Sequence, residues 1–379
     1  MKLRYTLSTT ILVVVMLVST FGAAFAQSDQ GVQNNSVQPA VLASTPKMPI
    51  HAVRVQYKNL DTSRSEVASV DANLTKAKVN FVSLSAGRVE WTYFKWSAHP
   101  EYTSGDVKST GLDFLALDSA KYKTHGWIDT TLDVLSPNYI KAHPSAAAIN
   151  ASGGKSTDIV GTMELVNGAY GKLLLDAVTY IAKNYANVNS ISITELCYHI
   201  DGYGPAEKAS YIAVTGKKDW PRNSSGGINI NDASIGTWRS GLITGYMAKL
   251  AAAAHAYGKQ LYLDVDINRS NLAEETSTNG TCYTQMLKSV DKLVVWAYYY
   301  LDGYAPEYLT TLAKFMTKYG SDKIIMSIGL WGPNNVNNMS ADLLQRGLTA
   351  SVKGGIGNIW ITPSIYMSSS LWTVLSKNW

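Results

Sequence analysis

The sequence predicts a single closed (β/α)8 barrel, an α/β fold in which eight parallel strands form a cylinder that helices surround. Three observations favour this fold. Eight short apolar segments recur along the chain of 379 residues, a helical pattern follows each one, and no strand is left over for an open sheet. Strands that alternate with helices pair in parallel, because only a long crossover returns the chain in the same direction. In such barrels the functional site lies at the carboxyl ends of the strands.

The predicted strands are short runs rich in β-branched and aromatic residues, and the predicted helices repeat apolar residues every three to four positions. In chain order the strands are Ala52–Lys58, Asn80–Ala86, Gly126–Val134, Ser190–Leu196, Gln260–Ile267, Lys292–Tyr299, Lys323–Leu330 and Asn358–Ile365. The helices that follow them are Glu66–Lys78, Asp113–His125, Tyr170–Tyr185, Gly236–Tyr257, Tyr283–Val290, Glu307–Tyr319, Ala341–Val352 and Ser369–Leu375.

Residues 1–26 have the pattern of a cleaved secretory signal peptide. Lys2 and Arg4 precede an apolar core over Ile11–Phe21, and small alanines at 24 and 26 mark a cleavage site. An uncleaved anchor is the weaker alternative, because this core is too short to span a bilayer comfortably. Residues 27–48 are rich in Gln, Asn, Ser and Val, so we expect a flexible linker before one barrel domain at 49–379. The prediction is a secreted or cell-envelope protein with no membrane attachment after cleavage.

The charge balance argues against a nucleic-acid partner. Cleavage removes Lys2 and Arg4 and lowers the formal net charge from +5 to +3. No basic cluster with interleaved aromatic residues is present. The chain also lacks a G-x-S-x-G nucleophile motif and a Walker-type nucleotide loop. We therefore expect a monomer with no cofactor.

Two cysteines, Cys197 and Cys282, follow strands four and five, which are neighbours in the predicted barrel. In an exported protein this placement favours a disulfide bond where the geometry permits it. Two cysteines are too few for a disulfide scaffold or for a cysteine-based metal site. Seven N-x-S/T sequons are compatible with a glycosylated exoprotein. They begin at Asn34, Asn73, Asn150, Asn223, Asn268, Asn279 and Asn338.

Three long connections, at 87–112, 135–169 and 197–235, follow strands two, three and four. Long ordered loops inside a compact domain are usually functional. These loops and the strand ends carry many aromatic side chains, whose faces suit the C–H surfaces of pyranose rings, although packing explains many of them individually. The candidate sugar-binding residues are Tyr198, Trp296, Tyr298, Trp331, Trp360, Trp91 and Arg54.

Acidic residues at strand ends are the candidate catalytic groups. Glu195 closes strand four and is the first candidate for the acid. In strand five, side-chain alternation turns Asp264 and Asp266 into the barrel. Burying a carboxyl group is costly unless it is hydrogen-bonded or has a function. Structural and functional interpretations of Asp264 therefore have equal weight. Asp266, nearer the mouth, is the stronger functional candidate, and Asp302 after strand six is a further one.

The direction of Glu195 is left open by the pattern of strand four. If Ile191 and Ile193 face the helices, strict alternation turns Glu195 outward as well. A bulge or the end of strand pairing would re-aim it, and bulges occur beside active sites. Strand three contributes two further acidic residues, Asp129 and Asp133.

Two carboxyl groups at a barrel mouth suit glycosidic bond cleavage. One, protonated, donates a proton to the leaving oxygen, while the other attacks the sugar or activates a water molecule. Neighbouring strands lie about 4.8 Å apart, so Glu195 and an aspartate of strand five suit the separation of about 5–5.5 Å in retaining enzymes. Asp302, two strands away, suits the wider separation of inverting enzymes. The sequence leaves both outcomes open.

These features resemble the glycoside-hydrolase-like family 10 group of exported (β/α)8 hydrolases, mainly over strands four to eight. The resemblance is carried by Glu195-Leu196-Cys197-Tyr198, by Trp238-Arg239, by Lys292–Tyr299, by Ser327-Ile328-Gly329-Leu330-Trp331 and by Gly357-Asn358-Ile359-Trp360. The family pattern has paired aspartates before the tyrosine after strand four, whereas this chain has Glu-Leu-Cys-Tyr. The resemblance therefore implies a carbohydrate-active enzyme acting on a polysaccharide or oligosaccharide, and it assigns a role to Glu195 alone.

Three hypotheses remain open at this point. The first is an exported glycoside hydrolase with Glu195 as acid/base and Asp264 or Asp266 as its partner. The second is a non-catalytic carbohydrate-binding or cell-envelope barrel without a working carboxyl pair. The third, metal-dependent deacetylation, needs His199 and Asp201 to meet a third ligand, and the spacing makes a metal site the least favoured interpretation.

Overall fold

The computed structural model of the chain describes residues 45–55, 64–196, 198, 201–269, 271–272, 280–333 and 339–379. The predicted signal peptide and residues 27–44 of the predicted linker lie outside these described residues. No helix within the described ranges is both long enough and apolar enough to cross a membrane.

The described chain alternates strands and helices from end to end. Its strands are β1 (His51–Val55), β2 (Phe81–Arg88), β3 (Trp91–Thr92), β4 (Trp127–Asp133), β5 (Ala147–Ile149), β6 (Lys155–Val160), β7 (Ser190–Thr194), β8 (Gln260–Val265), β9 (Lys292–Trp296), β10 (Ile324–Gly329) and β11 (Ile359–Thr362). Its helices are α1 (Arg64–Lys76), α2 (Gly105–Thr110), α3 (Phe114–Tyr122), α4 (Pro137–Ala142), α5 (Thr162–Asn167), α6 (Ala169–Asn184), α7 (Pro205–Thr215), α8 (Ala233–His255), α9 (Tyr283–Met286), α10 (Tyr308–Met316), α11 (Ala341–Lys353) and α12 (Ser369–Asn378).

Eight of these strands form a closed parallel barrel, as the sequence predicts. The hydrogen-bonded order is β1, β2, β4, β7, β8, β9, β10 and β11, and pairing of β11 with β1 closes the ring. Several strands are shorter than the apolar runs that predicted them. In β11 the strand ends at Thr362, because Pro363 has no N–H group to donate to the neighbouring strand.

Local sequence signals explain where several helices begin. The side chains of Asp113, Asp232, Ser340 and Ser368 each accept a hydrogen bond from a backbone N–H in the first turn of α3, α8, α11 and α12. Such caps satisfy N–H groups that have no partner inside the helix. The helices then pack their apolar faces on the outer faces of the strands in one large buried core.

The interior of the barrel changes from apolar to polar along its axis. Its amino-terminal half is filled by a buried cluster of Ile50, Ala52, Phe81, Trp127, Tyr262, Val294, Ile325 and Trp360. Tyr262 faces inward, on the same side of β8 as Asp264, and its ring centroid lies 6.2 Å from that of Phe81. Two residues further along β8, on the same face, Asp264 begins the polar half. The acidic strand ends therefore lie above a packed floor.

The three long connections follow the carboxyl ends of β2, β4 and β7, the second, third and fourth barrel strands, as the sequence predicts. The first contains the short antiparallel strand β3 and helix α2. The second contains α4, the antiparallel pair β5 and β6, and α5. The third contains α7. Within β2, a bulge between Ser85 and Gly87 shifts the register against β4 just before the first connection leaves the barrel.

Candidate active site

Glu195 leaves β7 with a left-handed backbone, at φ 64°. Strand pairing ends one residue earlier, at Thr194. This conformation is uncommon for a residue other than glycine, and such strained residues concentrate at functional sites. Continued alternation would have turned the side chain outward with Ile191 and Ile193. The end of the strand and the left-handed backbone instead bring Glu195 under the influence of acidic groups on β4 and β8.

Glu195 belongs to a group of three carboxyls around one arginine, which we term the carboxyl cluster: Asp133, Glu195, Asp264 and Arg54. Burial raises the pKa of Glu195 to about 7. The negative charges of Asp133 and Asp264 contribute to this rise, whereas the positive charge of Arg54 opposes it. Near neutral pH, Glu195 is therefore poised between its acid and its carboxylate form.

Asp264 is the most deeply buried member of the cluster, with 7% of its surface exposed. Burial raises its pKa to about 6, against the opposing effects of the Thr194 hydroxyl, Arg54 and the nearby indole of Trp296. Burial also raises the pKa of Asp133 to about 6, against the backbone N–H of Leu135 and the arginine charges. Burial thus raises the pKa of all three carboxyl groups of the cluster.

Asp129 lies beneath the cluster in the barrel interior and is completely buried. Three serines from neighbouring strands donate hydrogen bonds to its carboxyl group: Ser83 at 2.8 Å, Ser190 at 2.7 Å and Ser192 at 3.0 Å. Burial nevertheless raises the pKa of Asp129 to about 7. Because its bonds are made inside the protein, we interpret Asp129 as structural support for the floor of the site.

Asp266 and Asp302 lie apart in a second arrangement, the rim triad, in which Arg269 joins them. The Arg269 Nη1 atom lies 3.1 Å from Asp266 Oδ1, and its Nε atom lies 2.6 Å from Asp302 Oδ2. The same guanidinium donates to the backbone carbonyl of Trp296 at 3.3 Å. Burial raises the pKa of Asp302, while Arg269 opposes that rise. The Arg269 guanidinium therefore bridges the two carboxyl groups of the rim triad.

Aromatic side chains form one wall of the barrel mouth. Trp296 and Tyr298 stack with ring centroids 5.4 Å apart and planes inclined by 12°. Trp331 meets Tyr298 edge-on at 5.2 Å and Tyr366 at 6.4 Å. Gly329 makes this contact possible, since a Cβ atom there would lie 2.7 Å from both Trp331 and Tyr298. The wall places predicted binding residues from β9 and β10 side by side.

Several buried polar atoms at the carboxyl ends of the strands have no hydrogen-bond partner among the described residues. They are Arg54 Nε, Asp264 Oδ1, Trp296 Nε1, Thr362 Oγ1 and Ser364 Oγ. Buried polar groups without partners are costly and therefore rare in folded proteins. Arg54 and Asp264 belong to the carboxyl cluster itself, so the cluster contains polar atoms that could bind a polar ligand.

Other predicted site residues lie elsewhere. Trp360 is a correction to the predicted binding surface, because it packs in the barrel floor 5.6 Å from Phe81 rather than at the mouth. Tyr198 is buried, and the guanidinium of Arg239 lies 5.4 Å from its ring. Trp91 is half-buried on the β2–β3 hairpin, where the guanidinium of Arg88 lies 5.4 Å from its ring.

Two predictions fall partly outside the described residues. Cys197 and His199 are not described, so the disulfide with Cys282 and the His199–Asp201 metal half-site stay predictions. Across the described part of the chain, no group of three or more His, Cys, Asp or Glu side chains is arranged to hold a metal ion.

Two important residues received no role from the sequence. Asp133 is the last residue of β4, and Glu195 directly follows β7. Functional residues of such barrels lie at the carboxyl ends of strands, so this position marks Asp133 as a candidate. Arg269 follows Asp266 by three residues, and only the folded loop shows that it also reaches Asp302.

Comparisons with known proteins support the fold. No family model and no curated protein matches the chain. Among solved structures, the PgaB (BpsB) glycoside hydrolase domain from Bordetella bronchiseptica is similar with a TM-score of 0.68 at 14% identity, covering 87% of this chain and 99% of that one. A β-amylase catalytic domain from Paenibacillus polymyxa is similar with a TM-score of 0.60 at 11% identity, covering 89% and 98%.

A third similar structure is the β-galactosidase from the psychrophilic Marinomonas ef1, with a TM-score of 0.61 at 12% identity. The match covers 86% of this chain and 58% of the galactosidase, which is the longer protein. At these identities the likeness shows a shared fold, and the chemistry must be argued from the site.

Proposed function

We propose that this chain is an exported glycoside hydrolase in which Glu195 donates the proton and Asp264 is its carboxylate partner. The observation that carries the proposal is the carboxyl cluster at the mouth of the barrel. One carboxyl has its pKa raised to about 7, and its neighbour on the adjacent strand has a pKa of about 6. Burial raises the pKa of both groups, and a general acid must keep its proton near the working pH.

The proposed reaction divides the work between these two groups. Protonated Glu195 donates its proton to the oxygen of the leaving sugar as the glycosidic bond breaks. Ionised Asp264 faces the developing positive charge on the sugar ring, where it attacks the anomeric carbon or takes a proton from the attacking water. Asp133 contributes negative charge that helps to keep the proton on Glu195.

The surroundings of the cluster suit a sugar. The wall formed by Trp296, Tyr298 and Trp331 offers ring faces and edges to the C–H surface of a pyranose. The unpartnered atoms of Arg54 and Thr362 offer hydrogen bonds to hydroxyl groups. Both features are needed, because sugars present an apolar face and a polar edge.

Asp264 is preferred to Asp266 because of their counter-charges. Asp266 is paired with Arg269 at 3.1 Å, as is Asp302 at 2.6 Å, so the guanidinium already engages both carboxyl groups. Both aspartates influence the pKa of Glu195, but Asp264 follows Leu263, which pairs with Ile193 of β7, and so lies beside the strand end from which Glu195 leaves. We therefore place Asp266 and Asp302 in a supporting role at the rim.

The remaining features of the proposal come from the sequence. The leader at 1–26 supports export, and export would permit a Cys197–Cys282 disulfide and glycosylation at the sequons. A monomer is the simplest form, and membership of the glycoside-hydrolase-like family 10 group is part of the same proposal.

Digestion of a glycan library by the mature chain, with products identified by mass spectrometry, tests the proposal. We expect cleavage of at least one glycan by the wild type and its loss in Glu195→Gln, with ligand affinity retained. Binding without cleavage by the wild type would favour the carbohydrate-binding alternative. Loss of acetyl groups without chain cleavage would favour deacetylation.

A further inference from the structure

Arg239 is a fully buried cation that the proposed reaction does not use. It lies in the second turn of α8, next to Trp238, and none of its surface is exposed. Burying a guanidinium in a protein interior is expensive unless several groups compensate for its lost hydration. The contacts of Arg239 therefore indicate its role in the structure.

The guanidinium holds the backbone of the loop that leaves β7. Its Nη2 atom donates to the carbonyl oxygen of Asp201 at 2.8 Å and to that of Gly202 at 3.1 Å. Gly202 has φ 81°, and a Cβ atom there would lie 3.1 Å from the same Nη2 atom. The loop and the arginine are thus in tight mutual contact.

Aromatic rings from the same loop cover the guanidinium. The Cζ atom of Arg239 lies 5.4 Å from the ring centroid of Tyr198 and 5.0 Å from that of Tyr203, and 5.8 Å from that of the adjacent Trp238. A planar guanidinium stacks on aromatic faces and forms directional bonds to carbonyls, and a lysine ammonium does neither equally well.

Arg239 also contacts the loop that follows β8. Gly280 has φ 72°, and a Cβ atom there would lie 2.6 Å from Arg239 Cγ. One side chain therefore packs between the segments that follow the two strands of Glu195 and Asp264. Tyr198, one of its aromatic partners, is only three residues beyond Glu195.

We infer that Arg239 is a positioning residue, which fixes the exit of the chain from β7 and so holds Glu195 in its left-handed, inward orientation. Its kinetic consequences rest on the proposed function, whereas its effect on the position of Glu195 does not. Without this anchor the loop would relax, the backbone at Glu195 would leave its uncommon conformation, and the carboxyl group would become hydrated.

A carboxyl titration tests this inference without any substrate. In protein labelled with ¹³C at the glutamate carboxyls, Glu195 is assigned by comparison with Glu195→Gln, and its titration midpoint is measured by NMR. The charged groups that face it are Asp133, Asp264, Asp266 and Arg54. We expect Arg239→Gln to lower the midpoint by about one pH unit or more, as hydration is restored.

The matched control is Arg346→Gln, which removes a surface arginine that pairs with Glu307 at 2.7 Å. It should leave the Glu195 midpoint unchanged. An unchanged midpoint in a folded Arg239→Gln variant would overturn the inference. If that variant fails to fold, Arg239→Lys and Tyr203→Leu provide the same measurement, and unchanged midpoints in both would equally overturn it.

Turnover supplies a second, separate measurement once a cleaved glycan is known. We expect Arg239→Gln to lower kcat by about 10²-fold with little change in KM, because a misplaced acid slows chemistry more than binding. The basic limb of its pH–rate profile should move to lower pH together with the NMR midpoint. A shifted NMR midpoint with no cleavage of any glycan by the wild type would support the positioning role and count against the proposed hydrolase.

Discussion

The carboxyl cluster and the rim triad use the same residue types at the same end of the barrel, yet they differ in charge balance. In the cluster, three carboxyls share one arginine, and burial raises the pKa of Glu195 to about 7. In the triad, two aspartates share Arg269 through contacts of 3.1 and 2.6 Å. Position at a strand end is therefore insufficient to identify a catalytic acid. The two groups differ in the number of carboxyls for each arginine and in the direct ion pairs that Arg269 makes.

The strongest test of this difference between the carboxyl cluster and the rim triad is to replace one acidic residue in each. Glu195→Gln keeps size and hydrogen bonding but cannot donate a proton, so turnover should fall by about 10²–10⁴-fold. Asp302→Asn should leave turnover within about threefold, since rim substitutions that touch no reacting atom have small effects. The measurement is kcat for both variants on the best natural glycan found. Equal losses would place the acid in the rim triad instead.

A second test compares the two aspartates on and just after β8. Asp264→Asn should lower turnover by about 10²-fold or more, because the partner carboxylate is lost. Asp266→Asn should cost less than about tenfold, since its role is to pair with Arg269. Depth in the barrel alone predicts the reverse order, in which Asp266→Asn lowers turnover more than Asp264→Asn does. Steady-state kinetics of both variants, with sugar affinity measured separately, decides between them.

A third test acts on stability rather than turnover. Arg269→Gln leaves Asp266 and Asp302 without their shared cation, so it should lower the free energy of unfolding by about 1–3 kcal/mol. Urea unfolding measures this change. The control is Arg222→Gln, which removes an exposed arginine paired with Asp219 at 3.0 Å and should change stability little. No loss in Arg269→Gln would mean that the triad does not brace the rim.

The smallest expected effect is a pH-dependent change in melting temperature. Burial raises the pKa of Glu195 to about 7, so above the usual glutamate range the unfolded chain is ionised while the folded chain keeps its proton. The unfolded state then binds fewer protons, and stability falls as the pH rises through this window. Glu195→Gln should remove that cost and raise the melting temperature by about 2–4 °C at pH 8 but not at pH 4.

Thermal unfolding of Glu195→Gln and the wild type across this pH range checks the sign. Glu307→Gln is the control, because its arginine partner lowers the pKa of Glu307 and the side chain is on the surface. A gain at pH 4 equal to that at pH 8 would contradict the assigned titration of Glu195.

The fold is predictable because the same pattern of strand and helix repeats along the chain. Parts of the site are not, because each depends on the conformation of one residue that no repeated pattern reveals. Alternation along β8 correctly turned Tyr262 and Asp264 inward. At the end of β7 the same rule turns Glu195 outward. A glutamate gives no sequence signal that its backbone is left-handed, with φ 64°. Trp360 was placed at the mouth because alternation gives the direction of a side chain but not its depth in a tilted barrel.

Gly329 allows the rings of Tyr298 and Trp331 to approach each other closely in the aromatic wall. A Cβ atom at this position would lie 2.7 Å from both Tyr298 and Trp331, so any larger residue must push the two rings apart. The carboxyl groups belong to other strands and need not move with them. A methyl group at position 329 would therefore change the spacing of the aromatic wall while the carboxyl cluster keeps its geometry.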